Sequence, residues 1–194
     1  MQQTQTRDHA ATIAWAAGIV SDPRTIYLDT ETTGLGSDAE IVDIAVVDAR
    51  GQVLLDSLVR PTRPIPADAT RIHGITDEMV EDAHGWNSIA PRLRRLIAGA
   101  HNVVIYNADF DTRILDQCDA RFRLPGYQAN WQCAMKQYAA FAGQRHQRYG
   151  GYRWHKLVDA AAAFGYQEPV QHRALADTRL CRAVVLGMAN SSQR

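Results

Sequence analysis

The order of the candidate strands and helices is the feature that most restricts the fold of this chain. Three strand-like segments come first, at residues 24–29, 40–48 and 52–60, and a tight turn at residues 48–51 joins the last two as a hairpin. Beyond residue 60, helical patterns alternate with a further strand at residues 101–106. A hairpin followed by alternating strands and helices predicts an α/β domain built on a mixed sheet.

Helical patterns indicate the remaining organisation. Residues 1–22 are predicted to form a disordered polar tail and then, from Asp8, an alanine-rich helix. Residues 23–190 form the main domain, and residues 191–194 are expected to be a disordered tail. Within the main domain, helices are predicted to begin at Thr76, at Asn87 or Ser88, and at Phe110, and to cover residues 132–141, 154–164 and 174–188.

Composition excludes several classes of protein. The 21 basic and 21 acidic side chains cancel, which argues against a protein that coats DNA but is compatible with a local binding site. Cys118, Cys133 and Cys181 match neither a disulfide framework nor a zinc pattern. The N-terminus lacks the apolar stretch of a signal peptide, and no run approaches the roughly 20 apolar residues of a membrane span. We therefore expect a cytoplasmic protein without membrane contacts.

Two carboxylates one residue apart end the first predicted strand. The apolar residues 26–28 lead directly into Asp29 and Glu31. Because strand side chains alternate between faces, both carboxylates lie on one face, and each raises the pKa of the other unless a cation lies between them. Mg²⁺ and Mn²⁺ prefer oxygen ligands and would relieve this repulsion. Taken alone, the pair has a simpler interpretation as two solvated acids in a turn.

Further acids and one histidine occur at two later transitions into helices. Asp109 and Asp111 follow the strand at residues 101–106, and His172 and Asp177 lie at the start of the last long helix. Singly, they are explained as a helix cap, a surface histidine and an acid that complements the helix dipole. Together with the first pair they would require four independent coincidences of residue type, order and element.

The three segments D-T-E-T-T-G, N-A-x-F-D and H-R-A-L-x-D, in this order, resemble the motifs of the DEDDh family of 3′–5′ exonucleases. That family includes exonuclease X and the proofreading subunit of bacterial replicative DNA polymerases. The resemblance extends from Thr25 to about Gly187. It implies a ribonuclease H-like fold, with a mixed five-stranded sheet flanked by helices. It also implies two Mg²⁺ or Mn²⁺ ions with His172 as general base, and the implied metal ligands are Asp29, Glu31, Asp111 and Asp177.

The same resemblance implies a set of substrate contacts. A terminal nucleotide is expected to meet the first motif and the residue after it, and a 3′ base to stack on or be wedged by the pair that follows the proline-rich loop. Two residues of the second motif complete the set. The implied contacts are Thr30, Thr32, Thr33, Leu35, Ile72, His73, Asn107 and Phe110. Tyr106 occupies a position where many relatives have histidine, and Asp109 has no assigned role.

The expected activity is hydrolysis of DNA from single-stranded 3′ ends, with release of 5′-mononucleotides. RNA or short oligoribonucleotides remain alternative substrates, since spacing does not reveal contacts to the 2′ position. Association with a DNA polymerase or with a second copy of the chain also stays open.

An inactive nucleic-acid- or polymerase-binding module is disfavoured because all five motif residues are present. A phosphatase with an aspartyl nucleophile is disfavoured because its second acid would be Glu31 and His172 would have no role.

A polar stretch at residues 144–156 interleaves arginines, histidines and a lysine with Tyr149, Tyr152 and Trp154. Cations neutralise phosphates and aromatic rings stack on bases, so the stretch is typical of a nucleic-acid contact. An equally good alternative is a solvated loop whose Trp154 packs into the core.

Overall fold

The computed structural model describes residues 2–146, 150–166 and 172–191, with side chains from residue 6 onward. Within these residues, five strands form one mixed sheet in the order β3-β2-β1-β4-β5. The first three strands are antiparallel neighbours, whereas β4 and β5 run parallel to β1. The predicted mixed five-stranded sheet is confirmed. The strands are β1 Thr25–Thr32, β2 Ile41–Asp48, β3 Val53–Leu58, β4 Asn102–Ile105 and β5 Trp131–Cys133.

Helices cover both faces of this sheet. None of the described helices combines the length and the apolar character that crossing a membrane would need. The helices are α1 Gln2–Ser21, α2 Ala67–His73, α3 Asp77–Val80, α4 Trp86–Gly99, α5 Ala108–Arg121, α6 Ala134–Ala142, α7 Leu157–Ala162 and α8 Ala174–Asn190.

Several helix limits differ from the predictions. α1 begins at Gln2 rather than at Asp8. Residues 2–7 include no helix breaker, and Gln is a good helix former. The tail predicted at residues 1–7 is therefore wrong from Gln2 onward. α4 begins at Trp86 rather than at Asn87 or Ser88. α2 was not predicted, because its seven residues are too few to show a helical period.

Two later helices are shorter than predicted. α6 begins at Ala134 because the three residues before it pair with β4 as strand β5. α7 begins at Leu157. Of the predicted C-terminal tail, Ser191 is the last described residue, and residues 192–194 lie outside the described part.

The alternation of β1 assigns its side chains to two different layers. Ile26 and Leu28 pack in the layer that contains α4 and α5. Tyr27 packs in the opposite layer, which contains residues of α1, α6 and α8. Because residues two apart share a face, Asp29 and Glu31 point into the layer of α8.

The sheet is open beside the end of β1. In the described part of the chain, β4 pairs with β1 only along Thr25–Tyr27, and β4 ends at Ile105. The last residues of β1 therefore extend beyond β4, and the first turn of α5 reaches them from the other layer. A side chain of α5 can thus approach the end of β1 from the face opposite to α8.

A buried acid fixes α5 against α4. Asp119 is 1% exposed and accepts a hydrogen bond of 2.8 Å from the indole of Trp86 and a short ion-pair contact from Arg94. Buried carboxylates require such partners to offset the loss of hydration. This contact, far from the helix start, restrains the position of Asp111 on the same helix.

Candidate active site

Three of the predicted metal ligands meet in one cluster. Asp29 and Glu31 at the end of β1 and Asp177 in the first turns of α8 each place a carboxylate oxygen within 4.8 Å of the other two. Opposite ligands of an octahedral Mg²⁺ ion lie about 4.2 Å apart, twice the Mg–O distance of about 2.1 Å. The three oxygens therefore fit a hard divalent cation with small adjustments, and all-oxygen donors are the type that Mg²⁺ and Mn²⁺ prefer.

The cluster is electrostatically unfavourable without a cation. Burial, followed by the charges of Asp111, Glu31 and Asp177, raises the pKa of Asp29 well above its ordinary value. Burial, followed by the charges of Asp177 and Asp43, raises the pKa of Glu31 to about 9. Close, partly desolvated carboxylates of this kind are stabilised by a positive ion between them.

The fourth predicted ligand approaches from the other layer. Asp111 is 4% exposed, and its Oδ1 accepts a hydrogen bond of 2.7 Å from the hydroxyl of Thr30. Burial raises the pKa of Asp111 to about 7, and the bond from Thr30 opposes this rise. Asp111 is not one of the three acids within 4.8 Å of one another, but its charge acts on Asp29 more strongly than that of any other acid. It therefore lies beside the cluster.

His172 lies next to the cluster on the segment that leads into α8. Its Nδ1 is 3.9 Å from Oδ2 of Asp177, and its side chain is 45% exposed. The backbone of His172 has φ of 34°, a left-handed conformation that non-glycine residues rarely adopt. An accessible imidazole therefore lies beside the acids, and its role as general base stays a prediction.

Sequence reasoning did not identify Asp43, although it orders this part of the site. Asp43 lies directly opposite Glu31 in the β1–β2 register and is 1% exposed. Its Oδ2 accepts hydrogen bonds from Arg173 Nε at 2.8 Å and from the amide of Ala174 at 3.3 Å. These bonds attach the start of α8 to the sheet. Asp43 could have been noticed in the sequence as a single acid within the otherwise apolar run I-V-D-I-A-V-V of β2.

Burial raises the pKa of Asp43, and the hydrogen bond and charge of Arg173 oppose that rise. The neighbouring positive charge therefore compensates part of the cost of the buried carboxylate. Since Arg173 directly follows His172 in the chain, the pair also restrains the backbone that carries the imidazole.

An apolar cleft of about 410 Å³ lies beside the cluster. Leu35 is 80% and Ile72 is 61% exposed, and Phe110 lines the same cleft. The loop that carries Leu35 is held from α5, because Arg113 and Gln117 donate hydrogen bonds of 3.2–3.4 Å to its backbone carbonyls. The cleft therefore has a firm support and exposed apolar side chains, as a site for a planar base requires.

Of the other predicted substrate contacts, Thr30 and Thr32 also line the cleft. The Thr32 hydroxyl donates to the Gly34 carbonyl at 2.8 Å, and the Thr33 hydroxyl accepts from the Glu40 amide at 2.9 Å, so both side chains brace the loop. Asn107 is exposed immediately before α5.

His73 lines the same cleft but is almost fully buried. It is 4% exposed, its Nδ1 accepts a hydrogen bond of 3.0 Å from the amide of Ile75, and burial lowers its pKa. A ring with this burial cannot stack on a base in this conformation. Ile72 is the exposed member of the pair.

The polar stretch at residues 144–156 is described except for residues 147–149, so Arg148 and Tyr149 lie outside the described residues. Trp154 is 63% exposed. The alternative in which Trp154 packs into the core is therefore wrong.

Comparison with known proteins gives a consistent result. A match to the exonuclease family covers residues 26–185. The chain is 46% identical over 186 residues to an uncharacterized exonuclease, CP81, of Escherichia phage 186, a match that covers 92% of this chain and 95% of the phage protein. It is 32% identical over 170 residues to exodeoxyribonuclease 10 of Escherichia coli K12, covering 85% of this chain and 68% of that protein.

A solved structure shares both fold and sequence with this chain. Exonuclease X in complex with 5′ overhanging duplex DNA superimposes with a TM-score of 0.63 at 30% identity, and the match covers 88% of this chain and 93% of that one. The resemblance to exonucleases that the three motifs indicated is therefore confirmed.

Proposed function

The chain belongs to the exonuclease family, and on this premise we propose that it is a metal-dependent 3′–5′ exonuclease of the DEDDh type. The observation that carries the proposal is the convergence of Asp29, Glu31 and Asp177 within 4.8 Å, with the His172 imidazole 3.9 Å from Asp177. The proposed reaction hydrolyses the last phosphodiester bond of a single-stranded 3′ end and releases a 5′-mononucleotide.

The proposed metal ligands are Asp29, Glu31 and Asp177, with Asp111 completing the site from the other layer. Two bound Mg²⁺ or Mn²⁺ ions would supply an activated water and neutralise the charge that develops on the phosphate. The fit rests on the donor set, which consists of carboxylates that repel one another when no cation is present.

The remaining residues have roles in binding and proton transfer. Leu35, Ile72 and Phe110 hold the terminal nucleotide in the apolar cleft and thereby place its phosphate near the carboxylates. A ring nitrogen of His172 accepts the proton of the attacking water, which an imidazole can do at neutral pH. Asp43 and Arg173 keep the segment that carries His172 attached to the sheet.

DNA is the proposed substrate. The support comes from two relatives, one named as an exodeoxyribonuclease and one solved with duplex DNA. RNA is the alternative that the experiment must separate.

The test uses single-stranded DNA and RNA of equal sequence, labelled at either end, with Mg²⁺, Mn²⁺ or EDTA. We expect the strand to shorten stepwise from its 3′ end in the presence of a metal, with DNA shortened faster than RNA. Robust cleavage in EDTA, or internal cuts, would contradict the proposal.

Light scattering with and without a DNA polymerase would test whether the chain assembles with a polymerase or with itself.

Asp111→Asn is expected to reduce kcat by about 10²–10³-fold, because it removes one buried charge from the proposed metal site. Asp109→Asn is the matched control, since Asp109 lies two residues away on the same helix. Its carboxylate is 69% exposed and paired with Lys136, an ion pair of small energetic value. Steady-state hydrolysis of labelled DNA measures both variants. Equal losses would refute the assignment of Asp111 as a ligand.

Asp43→Ala is expected to lower kcat about 10–100-fold while KM changes little, because the start of α8 loses its attachment to the sheet. Asp43→Asn retains an oxygen acceptor for the Ala174 amide and should lose less. Asp56→Ala, an exposed acid on the neighbouring strand β3, is the control. Unchanged kcat in Asp43→Ala would show that the bonds to Arg173 and Ala174 do not support the site.

A further inference from the structure

We propose that the surface formed by Arg145, Tyr152, Arg153, Trp154 and Lys156, called the Trp154 surface below, binds a single-stranded nucleic acid on the 5′ side of the scissile phosphate. In this arrangement the Trp154 indole stacks on a base, and the cations contact neighbouring phosphates. The inference rests on the proposed function and extends it to a substrate contact outside the catalytic cluster.

The segment that carries Trp154 is anchored on both sides of the indole. Tyr106 donates a hydrogen bond of 2.9 Å to the carbonyl of His155, and the His155 ring packs edge-on against Tyr138 at 5.3 Å between centroids. On the other side, the Tyr152 hydroxyl donates to Asp8 at 2.5 Å. Because its neighbours are held by the protein, the 63% exposed indole is presented to solvent from a fixed backbone.

The surface carries an excess of positive charge. The Arg145 guanidinium lies 4.3 Å from the centre of the Tyr152 ring, and Arg153 and Lys156 are exposed. Across residues 6–146, 150–166 and 172–191, no carboxylate forms an ion pair with these three cations. Asp8, the acid in contact with the surface, is bound to the hydroxyl of Tyr152.

The Trp154 surface lies at the same end of the sheet as the carboxylates. Tyr106, which holds it, directly follows β4, and the next residues lead into α5 and Asp111. Adjacent strands are about 4.8 Å apart, so positions over β4 and β5 are on the order of 10 Å from β1. The apolar cleft extends toward the other side of β1, where α2 packs on Val42 of β2, and Phe110 of α5 also lines it.

The cleft and the Trp154 surface therefore flank the cluster. A strand whose terminal nucleotide occupies the cleft would place its next phosphate at the carboxylates and its upstream nucleotides toward Trp154. Exposed aromatic rings interleaved with arginines are the combination that binds single strands with little dependence on sequence. Charge complementarity thus favours a nucleic-acid strand as the occupant.

Binding is measured in EDTA, where no cleavage is expected, by fluorescence anisotropy of 5′-fluorescein-labelled dT16 and rU16. Trp154→Ala is expected to raise the Kd for dT16 about tenfold, and Trp154→Phe, which retains an aromatic face, to raise it less than threefold. Arg153→Ala should reduce the slope of log K against log salt by about 0.7, the value for one phosphate contact in a single strand. A third probe, dU16, differs from rU16 only in the sugar, and comparing the two shows whether the 2′-hydroxyl affects this contact.

Two controls separate this surface from the rest of the protein. Tyr166→Ala removes another exposed aromatic residue and should leave the Kd unchanged. Hydrolysis of the p-nitrophenyl ester of thymidine 5′-monophosphate, which occupies only the cleft and the cluster, should proceed in Trp154→Ala at the rate of the parent chain.

An unchanged Kd for all three oligonucleotides in Trp154→Ala, or an equal loss in Tyr166→Ala, would overturn the assignment of the surface. Slower hydrolysis of the ester in Trp154→Ala would also overturn it, because the effect would then originate at the catalytic cluster. If the parent chain binds dT16 through Trp154 but hydrolyses neither the ester nor the oligonucleotides, the proposed function fails while the Trp154 surface stands.

Discussion

Asp29→Asn is expected to abolish nuclease activity and, at the same time, to raise the melting temperature of the metal-free protein. Asp29 lies among Glu31, Asp111 and Asp177, and burial together with these charges raises its pKa well above the ordinary value. The substitution keeps the size of the side chain and removes one of the repelling charges. The loss of activity should reach about 10³-fold or more, because the proposed metal site loses a central ligand.

The two readouts of this variant must change in opposite directions. Thermal unfolding in EDTA measures the gain in stability, and hydrolysis of labelled single-stranded DNA measures the loss of activity. Added Mg²⁺ should stabilise the parent chain and have a much smaller effect on Asp29→Asn. A lower melting temperature of the variant in EDTA would show that Asp29 has a stabilising partner and would contradict the unfavourable cluster described above.

The metal-free protein is expected to lose stability as the pH rises from about 5 to about 9. The buried carboxyl groups of the cluster and beside it have pKa values raised by folding, with Glu31 moved from 4.5 to about 9 and Asp111 from 3.8 to about 7. A raised pKa means that the folded state holds its proton more tightly than the unfolded state. The resulting penalty is absent below the unfolded pKa and is complete above the folded pKa.

Melting curves between pH 5.5 and 8.5 test this dependence. In EDTA we expect a fall in Tm on the order of 10 °C across this range, since each kcal/mol corresponds to about 2–4 °C for a domain of this size. With saturating Mg²⁺ the fall should be much smaller, because the cation replaces the protons. Glu31→Gln in EDTA should likewise flatten the curve. Parallel curves with and without Mg²⁺ would exclude a cation site at these carboxylates.

Local patterns were sufficient to predict a mixed sheet and the first pair of acids, whereas the full ligand set came from the family resemblance and Asp43 was missed. The alternation of side chains along β1 places Asp29 and Glu31 on one face whatever the rest of the fold, and both do contribute to the cluster. The positions of short helices and strands were harder to predict from local patterns. α2 has too few residues for a period to emerge, and β5 became a strand because it pairs with β4.

Contacts between segments that are distant in sequence could be recognised only in the tertiary structure. Thr30 and Asp111 are 81 residues apart, and their hydrogen bond forms because β4 ends early and leaves space beside β1. Asp43 and Arg173 are separated by 130 residues, and neither has a local pattern that indicates the other. The burial of His73 was also unpredictable, since it depends on how α2 packs against the rest of the chain.

The sequence by itself determined which chemical groups the site contains and which pairs of them share a face, because side-chain direction along a strand follows from backbone geometry alone. The tertiary structure decided which groups meet. Strand order brings α8 over one face of β1 and α5 beside its end, so that acids of β1 and α8 meet and Asp111 of α5 lies beside them. Such meetings depend on packing between segments that are distant in sequence. The local alternation of residues along a strand carries no information about that packing.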